Sequence, residues 1–178
     1  MLNGHGRKTS QRITGRRCIL FALIWLTAFL PACLAGETEK LVAHLYFADP
    51  RSPFLVAEQR VIANPGDPAT LGRRLIKELI DGPVEGNFPT LPAGTQLRAF
   101  FLQDDGTAVV DFSSQLRENH PGSCRMAQLT LFSIVNSLIL NVSEIRRVKI
   151  LIDGAEAQTL AGHLTLDFPL TADMLLTR

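Results

Sequence analysis

Twice along this chain, a pair of β-type segments is followed by a helical segment that carries an apolar stripe. The first pair covers residues 41–48 and 54–63, and the turn-forming residues "DPRSP" connect the two as in a hairpin. The second pair covers residues 96–103 and 107–113, which flank Asp-Asp-Gly, a strong short-range hairpin signal. Because each strand pair has one face to bury, we expect a helix to pack on it.

Sequence signals also mark where the two helices begin and end. In the first, Asp67 can cap the N-terminus and Pro68 suits the first helical position, while Gly82–Pro83 ends the helix. The second runs from about residue 124 to 142, and its apolar surface is so broad that we expect burial on most sides. Cys124, at its start, is therefore expected to be a buried and inert thiol.

The remaining β-type segments complete the predicted sheet. Residues 146–154 form a strand that runs into a turn, and residues 163–170 are a candidate short edge strand that Pro169 stops. The element order is thus β-β-α-β-β-α-β(-β). This order predicts an α+β fold: a mainly antiparallel sheet of five or six strands with two helices packed on one face.

The chain opens with a segment typical of a secretory signal rather than of a folded domain. Five Lys and Arg residues precede the first acidic residue, and the apolar run of residues 18–30 is followed by Pro31 and small residues. A transmembrane helix usually needs about 20 apolar residues, so an uncleaved anchor is the less favoured interpretation. The sequence "LPAC" resembles the lipobox of bacterial lipoproteins, which makes Cys33 a candidate lipid anchor; cleavage after Ala35 is the open alternative.

These features divide the chain into a signal (residues 1–35), a short linker (36–40), a globular domain (41–170) and a C-terminal tail (171–178). Without its basic head the chain is mildly acidic and has no basic stripe, so nucleic-acid binding is not expected. The three cysteines support neither a disulfide framework nor a metal site.

Motifs that identify enzymes are missing from the sequence: a glycine-rich phosphate loop, a nucleophile elbow, paired metal-ligand histidines and cysteine pairs. We therefore predict a protein that is not an enzyme and needs no cofactor or metal. In an enzyme, Asp111 or His44 would be the acid or base. His44 lies within a strand, and the simpler explanation of Asp111 is that it caps nearby backbone, although a ligand contact stays open.

The stretch "DGPVEGNFPTLPAGT", Asp81–Thr95, connects the first helix to the third strand and contains three prolines and three glycines. Connections this long are uncommon inside compact domains and are often functional. The two interpretations that the residues leave open are a ligand-binding loop and a packed connector.

Several of these pieces, in this order and spacing, resemble the GerMN (germane) domain, the family that includes the spore germination and sporulation protein GerM and LpqB-type lipoproteins. The resemblance covers about residues 41–170. Its markers are Tyr46, Phe47, Leu75, Leu79, Gly82, Pro83, the segment Leu91–Thr95, Val110, Asp111, Asp153 and Gly154. On this resemblance the two ends of Asp81–Thr95 are framework, so we expect a packed connector whose middle, Val84–Pro89, is exposed.

The resemblance implies a non-catalytic cell-envelope protein, exported and either periplasmic or anchored to a membrane on its extracytoplasmic side. Its expected role is protein interaction or assembly, with envelope proteins or copies of itself as partners. A peptidoglycan-binding module is the alternative; it ranks second because the sequence has one Tyr and one Trp, and that Trp lies inside the signal. A role in germination is not carried over. The candidate binding-surface residues are Val84, Glu85, Asn87, Phe88 and Asp111.

Overall fold

The computed structural model describes residues 39–162 and 164–178, and its first element is a hairpin. Strands β1 (Lys40–Ala48) and β2 (Leu55–Ala63) pair antiparallel in one uninterrupted register along their whole length. The hairpin predicted from the turn residues is confirmed. The predicted signal and the candidate lipid anchor Cys33 lie outside the described residues.

Helix α1 (Pro68–Asp81) begins and ends at the predicted signals. The Asp67 carboxylate accepts a hydrogen bond from the Thr70 N–H at 2.7 Å. At the other end, Gly82 has a φ of +89°, which favours glycine, and its N–H donates to the Leu79 carbonyl. The apolar stripe of α1 is buried, so the predicted amphipathic helix is confirmed.

Two further strands and two helices follow before the last long strand. Strands β3 (Leu97–Leu102) and β4 (Thr107–Phe112) pair antiparallel, as the Asp-Asp-Gly turn predicts. Helix α2 (Gln115–Glu118) is a single turn that sequence reasoning missed, and α3 (Cys124–Ile139) is the predicted second helix. Strand β5 (Arg147–Ile152) lies beside β4. No helix in the described part of the chain is long and apolar enough to cross a membrane.

The described strands divide into three sheets. Strands β1 and β2 form the first, β3 to β6 the second, and β7 with β8 the third, where β6 is Ala155–Glu156, β7 is Thr159–Leu160 and β8 is Leu164–Thr165. The predicted α+β class is confirmed, but a single, mainly antiparallel sheet of five or six strands is wrong. Strand β5 runs parallel to β4, because the chain returns through α2 and α3 as parallel strands require. The candidate edge strand at 163–170 is confirmed only in part: β8 pairs with β7, and Leu170 forms an isolated antiparallel bridge with Val148 of β5.

Polar side chains of α3 and of the residues just after it cover the outer edge of β1. Ser137 Oγ accepts a hydrogen bond from the Tyr46 N–H at 3.0 Å, and Ser133 Oγ donates to the Tyr46 carbonyl. Asn141 Oδ1 accepts from the His44 N–H at 2.8 Å, and Asn141 Nδ2 donates to the His44 carbonyl at 2.7 Å. Side chains therefore take the place that a further strand would occupy beside β1, which is one reason why the hairpin is separate from the second sheet.

The main core joins the hairpin, α1, α3 and the second sheet. A smaller cluster contains Tyr46 and Leu129, and it lies on the opposite face of the hairpin from Leu45 and Phe47 because neighbouring strand residues alternate between faces. Helices α1 and α3 both contribute to the main core with β4 and β5, so the prediction that both helices pack on one face holds for the second sheet, and α3 also contributes to the smaller cluster. The largest fully buried side chains are Phe47, Phe100, Phe112, Leu45, Leu55, Leu75, Ile76, Leu79, Leu116, Leu131, Ile134 and Leu138.

Candidate functional site

The connection between α1 and β3 is held at its start by one buried carboxylate. Glu58 of β2 is fully buried and faces the core. Its two oxygens accept hydrogen bonds from the Val84 N–H at 3.0 and 3.1 Å and from the Glu85 N–H at 3.0 Å. The Asn87 side-chain amide lies 3.4 Å from the same carboxylate. A single side chain thus holds the backbone at the start of the loop formed by residues 84–88.

Arg60 completes this carboxylate cluster. Its guanidinium donates to Glu58 at 2.7 Å and to the Gly82 carbonyl at 2.6 Å. It also pairs with the Glu78 carboxylate at 3.1 Å and lies 5.5 Å from the centre of the Phe47 ring. The end of α1 and the start of the loop are therefore tied to the same two residues of β2.

Glu58 is ionised at neutral pH despite its burial. Desolvation raises the pKa of Glu58, but hydrogen bonds from Arg60 and from the Val84 and Glu85 N–H groups outweigh this effect and hold the pKa below its usual range. The loop contacts are consequently charge-assisted hydrogen bonds, which are stronger than neutral ones.

The second half of the connection is fastened to β1 and α3. The Phe88 N–H and carbonyl pair with Ala48 of β1 at 2.9 and 3.1 Å. The buried Thr90 hydroxyl lies 2.6 Å from Ser133 Oγ, and the Thr130 hydroxyl donates to the Thr90 carbonyl at 2.6 Å. The interpretation of Asp81–Thr95 as a packed connector with an exposed middle agrees with this geometry.

The exposed middle presents two apolar side chains. Val84 is 75% exposed and Phe88 is 57% exposed. Glu85 is exposed, whereas Asn87 is half-buried because its amide turns towards Glu58. The structure therefore brings four of the five predicted surface residues together in one loop. Whether they bind a partner stays a prediction.

Asp111, the fifth predicted residue, belongs to a different part of the molecule. It is buried near the end of β4, where its carboxylate accepts a hydrogen bond from the Gly154 N–H at 2.8 Å and lies 3.6 Å from the Arg98 guanidinium. Arg98 in turn pairs with Asp153 at 2.7 Å. These contacts hold the turn after β5 against β4, which is the backbone role that the sequence favours for this residue.

The residues considered for catalysis are not assembled into a reaction centre. The backbone of His44 is bound by Asn141, and its ring lies 3.4 Å from the Gln59 amide, away from the contacts of Asp111. Cys124 is exposed at the first position of α3, so the expectation of a buried thiol is wrong. Among the described residues, no group of three or more His, Cys, Asp or Glu side chains could hold a metal ion.

A shallow groove of about 410 Å³ lies on the outer face of β4 and β5. Its cations already have partners: Arg147 pairs with Asp105 at 2.8 Å, and the Lys149 ammonium donates to the carbonyls of Leu166 and Asp167 at 3.0 and 2.7 Å. The two described cations of the groove are therefore already engaged, which leaves neither of them free to select an anionic ligand.

Sequence reasoning missed Glu58 and Arg60. Both alternate with Ile62 on the face of β2 that is turned to the core, so a charged pair stands where the pattern calls for apolar residues. That mismatch was the available signal, because a buried charge needs partners and thus indicates a polar cluster.

Comparison with known proteins identifies the family. The sequence profile of the Germane family, described as "Sporulation and spore germination", matches residues 44–158. The chain therefore belongs to the Germane family, and the resemblance predicted from the sequence is confirmed. None of the curated proteins compared with this chain is significantly similar to it.

Solved structures give the same fold. The chain is 27% identical to a candidate lipoprotein of Clostridium perfringens, with a TM-score of 0.54 over 75% of this chain and 87% of the other. The first GerMN domain of the sporulation protein GerM from Bacillus subtilis is 24% identical, with a TM-score of 0.56 over 75% and 96% of the two chains. The tandem GerMN domains of the same protein are 23% identical, with a TM-score of 0.58; the match covers 76% of this chain and 46% of theirs.

Proposed function

We propose that this protein is a non-catalytic cell-envelope protein whose Germane domain binds other proteins on the extracytoplasmic side of a membrane. The observation that carries the proposal is the loop of residues 84–88, where Val84 and Phe88 are exposed on a backbone that Glu58 holds in place. Envelope proteins or further copies of this chain are the proposed partners.

The physical reason is that an ordered loop loses less conformational entropy on binding a partner than a flexible loop does. Flexible loops lose conformational freedom on binding, and a loop already held by charged hydrogen bonds has lost that freedom during folding. Exposed aromatic and apolar side chains on such a rigid support are typical of the residues that contribute most to protein interfaces. Phe88 fits that description.

We propose a non-catalytic role because the buried carboxylates bind backbone groups of the protein itself. Asp111 binds the Gly154 backbone, and Glu58 binds the backbone of the 84–88 loop, so both buried carboxylates have structural partners. The names of the similar solved proteins describe sporulation proteins and a candidate lipoprotein rather than enzymes.

If the loop binds partner proteins, negative charge placed on it should lower the amount of partner protein that is recovered with this chain. A tagged full-length Val84→Asp, Phe88→Asp variant, recovered from crosslinked cells of the native organism, should yield at least about tenfold less of its partners than the wild type, because desolvating a carboxylate at an apolar contact is costly. Leu175→Asp is the matched control, since Leu175 is 87% exposed and apolar but lies outside the loop. Equal recovery with both variants would contradict the proposed surface.

The extracytoplasmic location rests on the basic and apolar head of the sequence and on the similarity to a candidate lipoprotein. If Cys33 carries the lipid, washed membranes should retain the wild type and release a Cys33→Ala variant. Equal release of both proteins would contradict lipidation of Cys33 and would favour an exported protein whose signal is cleaved off.

A further inference from the structure

The outer edge of β2 is an open strand edge. In the hairpin, the Asn64 N–H donates to the Glu39 carbonyl at 2.7 Å and the Asp49 N–H donates to the Phe54 carbonyl at 3.0 Å. Hydrogen-bonded pairs alternate along an antiparallel ladder. The backbone N–H and C=O groups of the even-numbered residues of β2 therefore point towards β1. The backbone N–H and C=O groups of Ala57, Gln59, Val61 and Ala63 consequently point away from the hairpin.

The two outer edges of the hairpin differ in whether their backbone groups have hydrogen-bond partners. On the outer edge of β1, the backbone groups of His44 and Tyr46 bind the side chains of residues in and after α3, and those of Ala48 bind Phe88. On the outer edge of β2, no residue within 39–162 or 164–178 hydrogen-bonds to the outward groups of residues 57 to 63. Gln59 and Val61 are exposed there.

One end of this edge already accepts an extended segment. Thr177 forms a parallel bridge with Leu55, and the Arg178 N–H donates to the Leu55 carbonyl at 2.9 Å. The outward groups of β2 are thus in a geometry that can pair with a further strand, and the next positions along the same edge, from Ala57 onwards, repeat it.

The edge also lacks the features with which proteins usually protect such edges. Prolines, bulges and outward charges normally prevent unwanted pairing. Residues 57–63 contain no proline, the register with β1 is uninterrupted, and the two charged residues, Glu58 and Arg60, are turned to the core and paired. Beside the edge, Val61 is 68% exposed and its cross-strand neighbour Val42 is 53% exposed.

We propose that residues 57–63 of β2 bind an extended segment of a different protein, which adds to the hairpin as a third strand. The backbone groups provide the affinity, and alternate apolar side chains of the partner contact Val42 and Val61, as in other cases of strand addition. A second copy of this chain is the other occupant, and the test below distinguishes it from a different protein. The inference rests on the proposed protein-binding function and names a surface on the opposite edge of the hairpin from Phe88.

The test removes one outward N–H without touching the hairpin. A photo-crosslinking residue is placed at position 61 of the tagged full-length protein in living cells of the native organism, alone or with Gln59→Pro. Proline removes the N–H of residue 59, which faces away from β1, so the hairpin keeps its own hydrogen bonds. Gln59→Ala is the matched control, because it removes the same side chain and keeps the N–H.

Strand addition predicts that Gln59→Pro lowers the adduct yield from position 61 by about tenfold, whereas Gln59→Ala does not. It also predicts that adducts from positions 59, 61 and 63 move in two-residue steps along one segment of one partner protein. If Gln59→Pro fails to fold, Val61→Lys replaces it with position 63 as the probe, since a lysine beside a strand edge opposes pairing and its backbone stays intact.

Equal yields with Gln59→Pro and Gln59→Ala, adducts without the two-residue steps, or adducts on a second copy of this chain would overturn the inference. A probe at position 84 reports separately on the proposed function. Protein adducts from position 84 with none from position 61 would overturn strand addition and leave the proposed function standing. No protein adduct from either position would contradict both.

Discussion

Glu58 is the residue whose ionisation connects the fold to the proposed binding loop. Its pKa is lowered in the folded protein, so its contribution to stability is present above the unfolded pKa of about 4.3 and is lost as the pH falls through the folded pKa. Glu58→Gln keeps the shape but removes the charge. We expect it to lower the free energy of unfolding by about 2–3 kcal/mol at pH 7.

That difference should narrow as the pH falls below about 4.3, because Glu58 of the wild type then takes up a proton in the unfolded state before it does so in the folded state, which favours unfolding. Urea unfolding of both proteins between about pH 7 and 3 measures it. Other carboxylates with lowered pKa values, such as Asp49 and Asp105, are common to both proteins and cancel in the comparison. A difference that does not change with pH would contradict an ionised Glu58.

Gly72 is required for a different reason, the close approach of α1 to β3. A Cβ at position 72 would overlap the ring of Phe100, a side chain that is itself buried. Gly72→Ala gains about 1 kcal/mol of helix propensity but overpacks the core at about 1–3 kcal/mol, so we expect a net loss or no gain. Thermal unfolding should show that adding Phe100→Leu recovers stability. A clearly stabilised Gly72→Ala protein would contradict the contact.

At the scale of elements, the polar residues of α3 replace a strand beside β1. Ser137→Ala leaves the buried Tyr46 N–H without its partner, and we expect it to lower the free energy of unfolding by about 1–3 kcal/mol. Ser114→Ala is the control: the Ser114 side chain makes no capping hydrogen bond at α2, so the change should stay within about 0.5 kcal/mol. Equal effects of the two substitutions would show that the edge of β1 does not depend on α3.

The elements that the sequence predicts well are those with local signals. The Asp67 cap, the Gly82 stop and the Asp-Asp-Gly turn each depend on residues a few positions apart, and each is found where the pattern places it. The parallel pairing of β4 with β5 depends on a crossover of more than thirty residues, which no local pattern encodes.

The candidate site likewise has features that local sequence predicts and contacts that it does not. Exposure of Val84 and Phe88 follows from the family framework on either side of the loop, whereas the contact that holds the loop joins residues 26 and 27 positions apart. The charged pair on β2 indicates a buried polar cluster, but its partners in the loop follow only from the three-dimensional structure. Asp111 was placed correctly on a strand, but its partner Gly154 lies 43 positions away.

At the scale of the whole molecule, the described residues form a domain whose buried polar groups maintain structure and whose exposed apolar residues face outwards. Val84 and Phe88 are exposed in the loop of residues 84–88, and Val42 and Val61 are exposed on the face of the hairpin that is turned away from the main core. If both proposed surfaces bind, the protein would join two partners, as an assembly role requires. Loss of either surface alone should then reduce one set of partners and spare the other.

The most direct test of the central claim is crosslinking from position 84 in living cells of the native organism, with mass spectrometry of both proteins and muropeptides. The account predicts a defined set of envelope proteins, or copies of this chain, attached through the loop, and a lower yield when Glu58→Ala releases the loop. Attachment to wall fragments without any protein would instead show a peptidoglycan-binding module and contradict the proposed function.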